Sequence, residues 1–347
     1  MNFGVKRYIN AVDLGQNSIK IIQLQKMRRS WHISQQVSHP SPGLEALERG
    51  NVADLAASLQ EAAAIAGISK SKVISFIGGQ RVITRQITMP PMPWDDLQKA
   101  VIWEAEKIIP IPVADLEIRP VVLEEKLSEL GEVTQLHVLM VAASKSLIYR
   151  FNEIFDRAGL TLTAIDLPAL NLWRVFAQGY CVPQPKEIQA VVDIGSQTSH
   201  FIVIKHNILS YVRSLSVNLA PADLSPNIND DDFQIIQEVA AGNELTGSHL
   251  YMPAGLVDDD SLYAQLVTEI RRSLDFYRLQ ERDTIIEQLV ITGGGSQLTG
   301  LDQILQAELG LPVVVGYPAL PTGPDKIQEL HPQFTMAFGL ALREVKV

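Results

Sequence analysis

Apolar residues alternate with polar ones over short runs, and between these runs they recur every three to four positions. Strands and helices therefore take turns along the chain, which predicts an α/β fold. Residues 8–13 (YINAVD) and 18–25 (SIKIIQLQ) read as two strands joined by a turn around Gly15. Val52–Ala66 reads as a helix stopped by Gly67. Residues 73–79 and 81–90 read as strands, the second closed by Pro90, Pro91 and Pro93. Trp94–Ile109 has helical spacing, with Leu97, Val101, Ala105 and Ile108 as its apolar stripe. Asp95 and Asp96 complement the dipole of its first turn, and Pro110 ends it. Two strands (116–125, 135–144) and a helix (146–159) follow. Ile188–Ile194 opens a second strand–turn–strand unit. Ser261–Glu281 is a long helix, 288–292 a strand and Leu301–Leu309 a short helix stopped by Gly310. The stretch 218–260 is the least regular, with one helix predicted at Phe233–Ala241 among loops. No low-complexity linker divides the chain, so its halves are expected to share one body.

The pattern repeats once. AVDLGQNSIKII at 11–22 resembles VVDIGSQTSHFI at 191–202, an offset of 180 residues. In both, an apolar strand ends in Asp, followed by one apolar residue, Gly, two polar residues and Ser or Thr. Asp13 corresponds to Asp193, Gly15 to Gly195 and Ser18 to Thr198. Glycine in such a turn allows close backbone approach, and exposed N–H and hydroxyl groups cradle phosphate oxygens. An Asp at the strand end holds Mg²⁺ through water. One such hairpin is commonplace; two in register, facing each other, would grip a phosphate chain from both sides. A third element, LVITGGGSQLTGLDQIL at 289–305, runs an apolar strand into three glycines and a helix. Gly293–Gly295 allow a flat group to lie against the backbone, and Ser296 has a hydroxyl to donate. It lacks the GK[ST] ending of a P-loop and the spacing of a dinucleotide fingerprint.

Composition narrows the function. The 347 residues suit two domains, or one two-lobed unit, at ~150 residues per domain. With 46% apolar and 20% charged residues a sizeable core is available. Lys plus Arg number 29 against 39 acids, a net charge of −10, which argues against nucleic acid as a partner. The single cysteine, Cys181, excludes a disulfide scaffold and reads as a small buried hydrophobe. The seven histidines lack ligand spacing, so zinc is not expected. The best apolar run, LHVLMVAA at 136–143, is eight residues, far short of the ~20 a membrane span needs. A cytoplasmic protein without a signal peptide is the expectation.

Two D-x-G hairpins followed by a GGG turn resemble the phosphate-1, phosphate-2 and adenosine motifs of the actin-like ATPase superfamily. Within it, TRQITMPPMPWDDLQKAVIWEAEKIIPIPVADLEI (84–118) and LMVAASKSLIYRFNEIFDRAGLTLTAIDLPALNLWRVF (139–176) resemble the PilM family of type IV pilus assembly proteins, relatives of FtsA. EAEKIIP (104–110) and AGL followed by ID (158–166) are the sharpest matches. The resemblance implies an actin-like, ribonuclease H-like duplicated two-lobed fold with an FtsA/PilM-type inserted subdomain. Residues 1–83 and 166–187, rejoined by 318–347, would form the first lobe, 84–165 the insertion, and 188–317 the second lobe, with a divergent small subdomain at about 218–260.

The resemblance also implies a site. Asp13, Gly15, Gln16, Asn17, Ser18 and Lys20 would hold ATP phosphates from one side, and Asp193, Gly195, Ser196, Gln197 and Thr198 from the other. Gly293, Gly294, Gly295 and Ser296 would meet the adenosine, and Asp13 and Asp193 would hold Mg²⁺ through water. Lys20 reads equally well as an exposed strand lysine. Active superfamily members place a Gln or Glu to orient the attacking water ahead of a helix. The corresponding stretch here, 164–172, offers Leu167 with Asp166 beside it, and Asp166 reads as a helix N-cap before Pro168. ATP binding with weak or absent hydrolysis is therefore expected, and no catalytic residue is assigned. The family docks the cytoplasmic N-terminal peptide of PilN in a groove between the body and the insertion, on the cytoplasmic face of the inner membrane, alongside pilus platform and motor components. Pro90–Trp94 would line that groove or pack beneath the following helix. The acidic runs Asp230–Asp232 and Asp258–Asp260 read as solvated surface or helix starts, with a metal site as the alternative. Alternatives are a small-molecule kinase of the same superfamily or an FtsA-like polymerising protein.

Overall fold

The computed structural model describes residues 7–27, 30–217, 262–281, 284–323 and 326–345. The helix expected at Phe233–Ala241 and both acidic runs lie outside the described residues. The small subdomain expected at about 218–260 does too.

The first sheet grows from the first hairpin. Strand β1 (Tyr8–Leu14) pairs antiparallel with β2 (Ser18–Met27), and β2 with β3 (Ser30–Pro40). On the other side β1 runs parallel to β4 (Lys72–Phe76), and β4 parallel to β8 (Thr161–Asp166), giving the order β3-β2-β1-β4-β8. β1 is buried on both faces because its side chains alternate between two cores. Ile9 and Ala11 join one; Val12 and Leu14 join the other with α2 (Ala53–Ile65) and α4 (Lys145–Arg157). A short helix α1 (Ala46–Arg49) precedes α2.

The second half repeats the plan. Strands β10 (Ile188–Asp193), β11 (Ser199–Lys205) and β12 (Ile208–Leu215) are antiparallel neighbours. β13 (Gln288–Thr292) and β14 (Val313–Val315) extend the sheet in parallel, in the order β12-β11-β10-β13-β14. Helices α6 (Leu262–Gln280) and α7 (Leu301–Leu309) cover it. The sequence repeat is thus a repeat of topology. Between the halves lie α5 (Pro168–Ala177) and α8 (Thr335–Leu342). Every residue of α8 is buried, as a helix with apolar neighbours all round must be. The core around these helices takes Ile9, Ile22 and Leu24 from the first sheet and Val191, Ile202 and Val290 from the second.

A separate layer, β5 (Val82–Met89), β6 (Leu116–Leu127) and β7 (Val133–Ser144), has the order β5-β7-β6 and packs against α3 (Trp94–Ile108). Residues 84–165 do not all belong to it: α4 packs in the core of the first sheet and β8 completes that sheet. In α3 the buried residues are Leu97, Val101 and Ala105, whereas Ile108 is half exposed. The helix ends there, and the extended Ile109 turns into the core in its place. A last small sheet joins β9 (Cys181–Val182), β15 (Tyr317–Gly323) and β16 (Lys326–Glu329). Cys181 is buried, which pushes its thiol up to about 12 and leaves it an inert hydrophobe at neutral pH.

Candidate nucleotide site

The two D-x-G turns meet. The turns that follow β1 and β10 line one cavity of about 320 Å³ between the halves. Asp13, Gly15, Gln16, Asn17, Ser18 and Lys20 line it from the first turn. Asp193, Gly195, Ser196, Gln197 and Thr198 line it from the second, and Gly293, Gly294 and Gly295 from the end of β13. The structure brings together every residue that the motifs single out except Ser296. That side chain is turned inward, where its hydroxyl donates to the Gly293 carbonyl at 2.8 Å.

The backbone explains the glycines. In the first turn the Gly15 N–H donates to the Ser18 carbonyl at 3.1 Å, and a Cβ on Gly15 would sit 2.7 Å from that oxygen. A Cβ on Gly195 would collide with the corresponding Thr198 carbonyl. Gly293 has φ +86°, and its Cβ would lie 2.7 Å from Asp193 Oδ1. The chain then makes one tight 3₁₀ turn (294–297) before α7. Gly294, by contrast, faces open space.

The charges are arranged asymmetrically on this symmetric scaffold. Strand pairing places Lys20 opposite Asp13 and His200 opposite Asp193, so lysine and histidine occupy equivalent positions. Lys20 is mostly buried and its Nζ lies 3.5 Å from Asp13 Oδ2, so it is a site residue and not an exposed strand lysine. Burial raises the Asp13 pKa, and Lys20 opposes that shift. Asp193 has no such direct partner. Burial first, and the neighbouring Asp13 second, push it up to about 7 against the pull of Lys20. His200 also lines the cavity, and burial pushes it down to about 4, so it is neutral at pH 7. Two buried carboxylates that feel each other's charge, with the Lys20 ammonium paired to Asp13, form a donor set suited to a hydrated divalent cation. The residues therefore fit Mg²⁺ bound with a phosphate ligand.

Gln16 is committed to the scaffold. Its Nε2 donates to Glu45 Oε1 at 2.6 Å, and its Oε1 accepts from the Leu44 N–H at 3.0 Å. Asp166 is not a helix cap. Its Oδ2 lies 2.9 Å from Arg174 and 3.2 Å from Arg343, and it clamps the end of β8 to α5 and to the end of α8. Leu167 lines a separate, smaller cavity with Pro168 and Phe201. The motifs did not reveal the first-half wall of the main cavity, formed by Leu44, Leu47, Phe76–Gly79, Arg81 and Phe151, nor Gln333 just before α8 and Met336 in its first turn. His200 was legible as the counterpart of Lys20 in the repeat. The wall residues carry no motif and come together only through topology.

A duplicated five-stranded sheet with two helices between the copies and a cavity at the paired turns defines an actin-like ATPase fold. The family model of the type IV pilus assembly protein PilM matches residues 11–345, and the chain belongs to that family. A chain of the solved PilM–PilN type IV pilus biogenesis complex is 24% identical, with a TM-score of 0.75, and the match covers 98% of this chain and 99% of that one. The ethanolamine utilization protein EutJ from Carboxydothermus hydrogenoformans is 14% identical at a TM-score of 0.46, with 97% of this chain and 89% of that chain covered. A Bacteroides thetaiotaomicron protein of actin-like ATPase fold and unknown function is 10% identical at a TM-score of 0.46, with 91% and 93% covered. No described helix is long and apolar enough to cross a membrane.

Proposed function

We propose that this chain is a nucleotide-binding scaffold of the type IV pilus platform, which binds Mg-ATP and docks the N-terminal peptide of a PilN-type partner. The observation that carries the nucleotide reading is the meeting of both D-x-G turns and the GGG turn around one cavity. The turns at Gly15 and Gly195 would hold the phosphates, Asp13 and Asp193 would hold Mg²⁺ through water, and Gly293–Gly295 would lie against the adenosine. Mg²⁺ supplies charge neutralisation between phosphate oxygens. Lys20 pairs with the Asp13 carboxylate and opposes the effect of burial on it. Asp166 is occupied by two guanidiniums and Leu167 lies on another cavity, so neither orients a water at the phosphates. Turnover is expected below ~1 s⁻¹, the low end of ordinary enzyme rates.

The docking reading rests on the layer around α3. Trp94, Trp103, Ile108 and Ile111 are exposed there, so Trp94 does not pack beneath the helix, the commoner fate of a tryptophan at such a position. Exposed apolar side chains of this kind suit the apolar anchors of an extended peptide. Attachment to the inner membrane would then come through the partner, on its cytoplasmic side, with motor components reaching the same platform.

Calorimetric titration of nucleotide-stripped protein with Mg-ATP tests the first half. Saturable binding is expected; a folded sample that binds nothing at millimolar Mg-ATP overturns it. Titration with the partner's N-terminal peptide tests the second half. Trp103→Glu should abolish peptide binding and leave Mg-ATP affinity unchanged, and unaltered peptide affinity in that variant sinks the assignment of the patch.

A further inference from the structure

The residues lining the main cavity carry two acids, Asp13 and Asp193, and two permanent cations, Lys20 and Arg81. Lys20 is spent on Asp13. Arg81 belongs to neither D-x-G turn. It ends a short 3₁₀ turn (79–81) that leads from β4 into β5, and that turn touches the second half. Gly79 has φ +73°, and a Cβ there would lie 3.3 Å from Thr198 Oγ1. Gln80 Nε2 donates to Ser216 Oγ at 2.8 Å. Arg81 is therefore fixed beside the phosphate turn of the opposite half.

Its guanidinium is only partly used. One terminal nitrogen donates to Glu48 Oε1 at 3.0 Å, while the Nε–H is buried without a hydrogen-bond partner. Glu48 is 64% exposed, and exposed ion pairs contribute little. A buried, unpaired donor is costly, and an anion that satisfies it gains what the protein forgoes. The surrounding wall is apolar (Leu44, Leu47, Phe76, Ile77, Phe151), so a charge placed there is poorly screened. A base against Gly293–Gly295 and a phosphate chain between the two turns would direct the last phosphate toward this first-half wall.

We infer that Arg81 is an additional anion-binding residue that takes the terminal phosphate of a nucleoside triphosphate, leaving Glu48 for it, and that it makes the site prefer triphosphate over diphosphate. The guanidinium fork suits phosphate oxygens two at a time. This rests on the nucleotide reading above.

The test is the ratio of Mg-ADP to Mg-ATP dissociation constants, measured by calorimetry on the full chain, with thermal unfolding as a check on folding. The wild type should prefer Mg-ATP by at least tenfold. Arg81→Ala should bring the ratio close to one while leaving Mg-ADP affinity within about twofold. Glu48→Gln frees the guanidinium without altering the cavity, and should tighten Mg-ATP severalfold with Mg-ADP unchanged. It also decides the matter should Arg81→Ala fail to fold. A preserved ratio in folded Arg81→Ala, or no change in Glu48→Gln, overturns the inference and leaves the nucleotide site standing. A folded wild type that binds neither nucleotide overturns both.

Discussion

Asp193 is the residue at which charge and burial conflict most. Its pKa of about 7 means that, between about pH 4 and 7, the folded chain keeps a proton that the unfolded chain has released. Stability of the ligand-free protein therefore falls as pH rises through that window, and the loss is complete above it. Asp13, raised in the same direction, adds to the effect. Asp193→Asn removes the conflict. The variant should melt higher than the wild type at pH 8, by about 4 °C or more, and the gap should close near pH 4. Mg-ATP should raise the melting temperature of the wild type and not of the variant. A gap of equal size at both pH values would show that Asp193 is not a strained carboxylate. The glycines make a sharper contrast. A side chain at Gly293 would strike Asp193 and Ile194, whereas one at Gly294 meets nothing. Gly294→Val should keep the melting temperature and lose Mg-ATP binding more than tenfold, while Gly293→Ala should lower the melting temperature itself. Equal nucleotide affinity in Gly294→Val would move the adenosine elsewhere.

At the level of elements, the halves are joined by a crossing of two helices with no space to spare. A methyl group on Gly339 of α8 would collide with the Asn171 carbonyl of α5. Overpacking of this kind costs about 1–3 kcal/mol, so Gly339→Ala should shift the denaturation midpoint down without altering the slope. An unchanged midpoint would mean that the helices separate easily. The start of α5 was read at Asp166–Pro168, but α8 did not stand out as a pattern in the sequence. Residues 335–342 (TMAFGLAL) show almost no polar face, because a helix between two sheets needs none, and amphipathic periodicity therefore has nothing to report. The first hairpin was legible for the opposite reason: β1 and β2 are short, apolar and closed by a glycine turn whose geometry admits little else. β3 (SWHISQQVSHP) was not, since its half-exposed pattern alternates weakly. Asp166 misled because a carboxylate before a proline is a good cap. Its arginine partners lie 8 and 177 positions further along, beyond any local rule. The paired turns, by contrast, were fully legible, since the duplication writes the same chemistry twice.

For the whole molecule, the three-stranded layer enters and leaves the body by way of the cavity. The entering segment supplies Ile77, Gly78, Gly79 and Arg81 to the cavity wall, and the departing helix α4 supplies Phe151. Glu48 ties the two crossings together, accepting from Arg81 through its side chain and from Arg150 Nη1 through its carbonyl at 3.0 Å. A ligand that orders the wall must therefore bear on both connections to the layer that carries the exposed tryptophans. By linkage, a nucleotide that changes the peptide's affinity is itself bound more or less tightly by the same factor when peptide is present. Hydrogen exchange provides the first measurement. Mg-ATP should slow exchange over residues 77–83 and the first two turns of α4, not only at the two D-x-G turns. Calorimetry should then give peptide affinities that differ by about fivefold or more, the low end of ordinary coupling, between loaded and stripped protein. Protection confined to the turns, with one peptide affinity in both states, would make the cavity and the layer independent sites on a rigid body.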